Sequence, residues 1–312
     1  MTPCCAAPHL LDRRATGSRG NRVQQAEQTR QPSAHLAADL AALGLSQGLA
    51  RDPALWQSLT GGRSNLSWRV PHPGGDCVVK LFRPERACTV FPNDPTAEAA
   101  MLRHLSGQSI APDLLHAGDT PLGPCIVYRH IAGPTWAEGR RDIAEVAQLL
   151  HHLHSLPAPD ALRPGPNGTD SLRAEIAAQS PAKLPLPHIT LPDITLPAVA
   201  PRLLHGDPVP GNIVVSDRGL RLIDWQCPAL GDPCLDLATF LSPAMGLLYL
   251  GTPLDAAARA RFLDAYDDAE VIARYHALTP FFHARMAAYC LSRAAAGSAP
   301  DRHAARLELA AL

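Results

Sequence analysis

The segment from His205 to Asp236, HGDPVPGNIVVSDRGLRLIDWQCPALGDPCLD, constrains this 312-residue chain more than any other. His-Gly-Asp at 205–207 is followed by Asn212, and Ile-Asp-Trp stands at 223–225. Between them Ile213, Val214 and Val215 make a β-branched run, Ser216 to Gly219 supplies turn residues, and Leu220 to Ile223 runs back. With that turn, Val215 faces Leu220 and Asn212 faces Ile223. Asn212 and Asp224 are then expected side by side at the open end of a hairpin, their Cα atoms about 5 Å apart. A carboxamide and a carboxylate held in that way suit Mg²⁺, a hard cation that takes few protein ligands beside nucleotide phosphates. Asp207, on the loop before the hairpin, is placed to orient and deprotonate a hydroxyl. A surface hairpin with turn-forming Asp and Asn accounts for any one of these elements, but poorly for three in register.

The pattern H-G-D-x-x-x-x-N, then I-D-W, then G-D-P-x-x-D-L-A resembles the aminoglycoside phosphotransferase and choline kinase family. The similarity covers roughly Leu55 to Arg293 and is strongest between Leu203 and Phe240. It implies an α+β, bilobal protein-kinase-like fold, with a small β-rich N-lobe and a larger, mainly helical C-lobe. It also implies transfer of the γ-phosphoryl of ATP to a hydroxyl of a small-molecule acceptor. On the matching positions Asp207 is the catalytic base, and Asn212 and Asp224 hold Mg²⁺. Gly231-Asp232-Pro233 and Asp236 resemble the stretch that braces the catalytic loop.

Only two of the 28 basic residues are Lys, at 80 and 183. Lys80 stands in Cys77-Val78-Val79-Lys80-Leu81-Phe82, a strand-like run, where a kinase-like lobe needs a compact ammonium against the nucleotide phosphates. Downstream, Asp94-Pro95 reads as an N-cap and first helical turn. Glu98, Met101, Leu102 and Leu105 follow at helical spacing, and Glu98 is expected to pair with Lys80. Upstream, Leu59 to Val70 reads as strand, Gly-rich turn and strand. There Gly61 and Gly62 let backbone approach phosphates, and Ser64 and Asn65 add donors. The run from Cys125 to Pro134 reads as an apolar strand entering a linker. By the resemblance, its backbone around Tyr128 and His130 holds the adenine edge. Arg129 stands where an acidic residue is common in such families, which leaves ATP against GTP open.

Composition limits the partners. The net charge of −1 offers no basic field for nucleic acid. No apolar run reaches transmembrane length. Eight cysteines show no C-x-x-C pairing, as in reduced cytoplasmic thiols, so the expected compartment is the cytoplasm. The oligomeric state is open.

Three regions are expected: a disordered leader over 1–33, a nucleotide-binding N-lobe over 34–130, and a catalytic and acceptor-binding C-lobe over 131–312. Ser33 is expected to cap a helix with the face Leu36, Leu40 and Leu43. Ile143 to Leu156 has the pattern of an amphipathic helix, and its His151, His152 and His154 splay as packed or solvated imidazoles rather than metal ligands. Residues 157–201 are Pro-rich and read as an extended connector. Leu237 to Arg293 reads as helical. Nine of the 15 aromatics follow Asp224 and are expected mostly in the core, with a few lining an acceptor pocket. Asp264, Asp267, Asp268 and Glu270 around Tyr266 suggest an acceptor bearing an amine or ammonium, such as an amino alcohol, aminoglycoside or thiamine-like cation. A nucleotide-binding pseudokinase with a scaffolding role is the alternative. A protein kinase fits less well, because Trp225-Gln226 replaces the Phe-Gly of D-F-G.

Overall fold

The structure, a computed structural model, describes Ala38 and residues 48–50, 52–59, 64–159, 161–179 and 190–312. Gly61, Gly62 and, apart from helical Ala38, the helix expected after Ser33 lie outside them. A five-stranded antiparallel sheet comes first, in the order β1-β2-β3-β5-β4. Its strands are β1 (Gln57–Ser58), β2 (Leu66–Val70), β3 (Cys77–Leu81), β4 (Leu114–Thr120) and β5 (Gly123–Arg129). Helix α1 (Pro95–His104) enters between β3 and β4. The fold is thus bilobal and α+β, with this sheet set against a mostly helical remainder.

The central strand β3 is buried at every position, and its alternation decides what faces the cleft. Cys77, Val79 and Leu81 pack into a small core with Trp56, Trp68, Cys125 and Val127. Val78 packs on the opposite side, into the large core shared with Met101, Leu102, Ile126 and Tyr128. Lys80 falls on the Val78 side by the same period of two. Asp94 caps α1 through Oδ1, which accepts from Thr96 N at 2.9 Å and Ala97 N at 3.0 Å, and the helix buries Glu98, Met101 and Leu102 as the spacing predicts.

The rest is largely helical: α2 (Ile143–Ser155), α3 (Thr169–Gln179), α4 (Cys234–Leu241), α5 (Pro243–Leu250), α6 (Ala256–Tyr266), α7 (Ala269–Ala295) and α8 (Ala299–Ala310). Two small ribbons carry the site. Strands β6 (Arg202–Leu204) and β9 (Ala229–Gly231) pair, and β7 (Ile213–Ser216) and β8 (Gly219–Leu222) form the hairpin. Its register is the expected one, with Val215 opposite Leu220. The Pro-rich stretch differs from expectation, because it contains α3. Leu172 and Ile176, one turn apart, are buried, and Glu175 forms an ion pair with Arg285 of α7. Residues 190–201 have no helix and lie back on α3, where Leu196 O accepts from Thr169 N at 3.1 Å. Eight of the nine aromatics after Asp224 are buried, and Tyr249 is the exception. Among the described residues, no helix is long and apolar enough to cross a membrane.

Candidate active site

Lys80 is 2% exposed, and its Nζ lies 2.5 Å from Glu98 Oε2. The same Nζ donates to Asp224 Oδ1, across the boundary between sheet and hairpin. Burial by itself would lower the ammonium pKa, but the Asp224 and Glu98 carboxylates outweigh it and hold Lys80 well above its usual value. One cation thus ties β3, α1 and the end of the hairpin together.

Asp224 is not the strand residue that the pattern suggested. Strand β8 stops at Leu222, Ile223 N adds one more rung by donating to Asn212 O at 2.9 Å, and Asp224 turns left-handed at φ +65°. A non-glycine residue there is strained and persists only where its surroundings fix it, as Lys80 does here.

The His-Gly-Asp loop is held from beneath. Asp236, fully buried at the start of α4, accepts from His205 N at 2.8 Å and Gly206 N at 2.9 Å, with His154 Nε2 at 3.1 Å. Burial works against that carboxylate, but the His154 bond and charge outweigh it and keep its pKa below the usual range. His205 is buried, which lowers its pKa. Its Nε2 lies 3.0 Å from Ile223 O, and its ring centroid is 4.4 Å from that of Trp225. Gly206 has φ +83°, and a Cβ there would meet Cys227 O at 2.0 Å, so the approach of the two segments requires glycine. His154 is therefore a packed imidazole of α2, whose Nδ1 also lies 2.7 Å from Tyr266 Oη.

Asn212 ends the turn Pro210–Asn212, and its Nδ2 donates to Asp207 O at 2.9 Å and Asp207 Oδ2 at 3.3 Å. The amide nitrogen thus faces Asp207 and leaves Oδ1 as the acceptor. Asn212 Oδ1 and the Asp224 carboxylate are hard oxygen donors lining one cavity, a set that fits Mg²⁺. That cavity measures about 990 Å³, and Lys80, Tyr128, His130, Asn212, Asp224 and Tyr249 all line it.

Other expected residues are distributed differently. Asn65 lines the cavity, but its carboxamide also pairs reciprocally with Asn93 at 2.8 Å, donates to Gln226 Oε1 at 2.6 Å and accepts from Arg83 N at 3.0 Å. It therefore ties the start of β2 to the segment that follows Asp224, and Asp94 N donates to Gln226 O at 3.2 Å in the same knot. Ser64 is half-buried just before β2. Tyr128 is buried, which raises its phenol pKa, and burial lowers that of His130. Arg129 turns away from the cleft, donating from Nη1 to Gly75 O at 2.9 Å.

The acidic cluster lies elsewhere. Among the described residues lining the cavity there is none of Asp264, Asp267, Asp268 or Glu270. Asp268 caps α7 by accepting from Val271 N at 3.1 Å and pairs with Arg202 at 2.9 Å, so helix-junction geometry accounts for it. Sequence reasoning missed Ser67, although its pairing opposite Lys80 places it in the cleft. It also missed Leu247, Leu248, Pro300 and His303, which no local pattern marks.

Known proteins share this fold. The model of a phosphotransferase enzyme family matches residues 55–281. No curated protein matches the chain. A macrolide 2'-phosphotransferase from Brachybacterium faecium is similar in structure at 20% identity and TM-score 0.56, covering 86% of this chain and 96% of the other. An ethanolamine kinase from Plasmodium vivax aligns at 12% identity and TM-score 0.60, covering 97% and 95%. A spectinomycin phosphotransferase, solved with ADP and spectinomycin, aligns at 14% identity and TM-score 0.53, covering 81% and 88%. With most of its length matched by the family model, the chain belongs to the phosphotransferase enzyme family and is a small-molecule phosphotransferase of the kinase type.

Proposed function

We propose that this chain transfers the γ-phosphoryl of ATP to a hydroxyl of a small molecule in the presence of Mg²⁺. The observation that carries the reading is Lys80 paired at once with Glu98 and Asp224, in a cavity that Asn212 also lines. Lys80 holds the nucleotide phosphates, and Glu98 fixes Lys80. Gly61, Gly62, Ser64 and Asn65 belong to the loop over the phosphates, and Tyr128 and His130 to the nucleotide wall. Asn212 and Asp224 would hold Mg²⁺, which when bound neutralises phosphate charge. Asp207 orients the acceptor hydroxyl and takes its proton. The bridge from Asn212 Nδ2 keeps its carboxylate in register with the metal pair. Positioning and charge neutralisation supply most of the acceleration.

Residues 34–130 form the nucleotide lobe and 131–312 the catalytic lobe. Cys77, Cys88, Cys125, Cys227 and Cys234 are free thiols, which suits a reducing compartment, the cytoplasm. The acidic cluster that suggested a cationic acceptor lies outside the residues that line this cavity. ADP formation from Mg²⁺-ATP, measured across a panel of hydroxyl compounds, tests the reading. Acceptor-dependent ADP release is expected. Tight Mg²⁺-ATP binding with no turnover on any acceptor would instead point to a pseudokinase.

A further inference from the structure

The cavity that holds Lys80 and Asp224 continues onto a wall that the phosphotransfer reading leaves unassigned. Leu247, Leu248 and Tyr249 of α5 form it, with Pro300 and His303 from the first turns of α8. Leu247, Leu248 and Tyr249 are the half-exposed edge of an apolar cluster whose buried part includes Met245, Met286 and Tyr289. The wall abuts the catalytic loop: a Cβ on Gly211 would meet two ring carbons of Tyr249 at 2.7 Å. Gly211 lies between Asp207 and Asn212 in sequence, so the wall abuts the loop that carries the proposed base.

The wall is also fixed. Glu308 of α8 is fully buried and accepts from Ser242 Oγ and, at 2.9 Å, from Ala244 N at the start of α5. Its other oxygen lies 2.5 Å from His283 Nδ1 on α7. The surface is thus set before any acceptor arrives.

Its chemistry is one-sided. Leu247, Leu248, Tyr249, Pro300 and His303 include no carboxylate. Glu138 also lines the cavity, but it belongs to the turn after the linker and accepts there from Thr135 N at 3.2 Å. An ammonium laid on these five residues would lose water and meet no carboxylate among them, whereas an apolar or aromatic body would gain burial.

We propose that this wall is the acceptor subsite, and that the acceptor is an alcohol whose body is uncharged and apolar or aromatic. The inference rests on the phosphotransfer reading and sharpens it.

The test measures kcat/KM with Mg²⁺-ATP for four hydroxyl compounds: naphthylethanol, choline, kanamycin and glucose. Mg²⁺-ATP binding is followed separately by calorimetry. Naphthylethanol is expected to give the highest kcat/KM. Leu248→Asp should lower that value at least about tenfold, with unchanged Mg²⁺-ATP affinity, because it places a carboxylate against the apolar body. Leu248→Met should retain it. The proposal is overturned if choline, kanamycin or glucose is preferred. It is equally overturned if Leu248→Asp leaves the naphthylethanol value unchanged, or if naphthylethanol is not phosphorylated while Mg²⁺-ATP binds. Absence of Mg²⁺-ATP binding overturns the phosphotransfer reading itself.

Discussion

Asp236→Asn removes a charge that the catalytic loop depends on, and its effect can be worked from the geometry. The fully buried carboxylate accepts from His205 N and Gly206 N, and His154 Nε2 lies against it. Asn keeps one acceptor oxygen and turns an amide N–H toward a donor. Hydrogen bonds to a charged group contribute about 1.5–3 kcal/mol each, so losing one and opposing another costs about 3–5 kcal/mol. For a chain of this size, that lowers Tm by roughly 6–20 °C. The pH dependence follows from the depressed pKa in the folded state. The stabilisation is present above the unfolded carboxyl pKa, about 4, and is lost as pH falls through the folded value. Scanning calorimetry of both proteins from neutral to acid pH should show a wide Tm gap that narrows below about pH 4. A gap under about 2 °C at pH 7 would refute the brace, since even one lost charged hydrogen bond exceeds it.

Other perturbations separate the parts of the site. Asp224→Ala is expected to abolish Mg²⁺-dependent nucleotide binding in calorimetry and Asn212→Ala to weaken it less, because only the carboxylate offsets charge; the reverse order contradicts the metal assignment. Gln226→Ala unties Asn65, and loss of about 1–2 kcal/mol of loop positioning should raise KM for ATP roughly 5–30-fold; an unchanged KM would make the tie irrelevant to the nucleotide. Glu308→Ala leaves His283, Ser242 and Ala244 N without their buried partner, which costs about 3–5 kcal/mol in denaturant unfolding; a change below about 1 kcal/mol would show that α8 is held otherwise.

Local patterns carried much of this site. The turn residues Ser216 to Gly219 set the hairpin register, and the Asp94-Pro95 cap with the spacing of Glu98, Met101 and Leu102 set α1. These are short-range signals, complete within a few residues. The bend at Asp224 was not legible, because its left-handed backbone is held by Lys80, 144 positions away. The tie from Asn65 to Asn93 and Gln226 was not legible, because those partners come from distant segments. Helix α3 was hidden by the prolines around it, although Leu172 and Ile176 kept helical spacing. The acidic run at 264–270 looked like a cation site, but capping and the Arg202 pair account for Asp268. The apolar acceptor wall joins residues from α5 and α8, which no local pattern could connect.

Phosphoryl transfer itself decides the central claim. Wild-type protein and Asp207→Asn are each given Mg²⁺-ATP labelled at the γ-phosphorus and an acceptor alcohol that the wild type accepts, and label in the product is counted in single turnovers. The account predicts label transfer by the wild type and a rate about 10²–10⁴-fold lower in a folded Asp207→Asn protein that still binds Mg²⁺-ATP. Transfer at the wild-type rate by Asp207→Asn would contradict it.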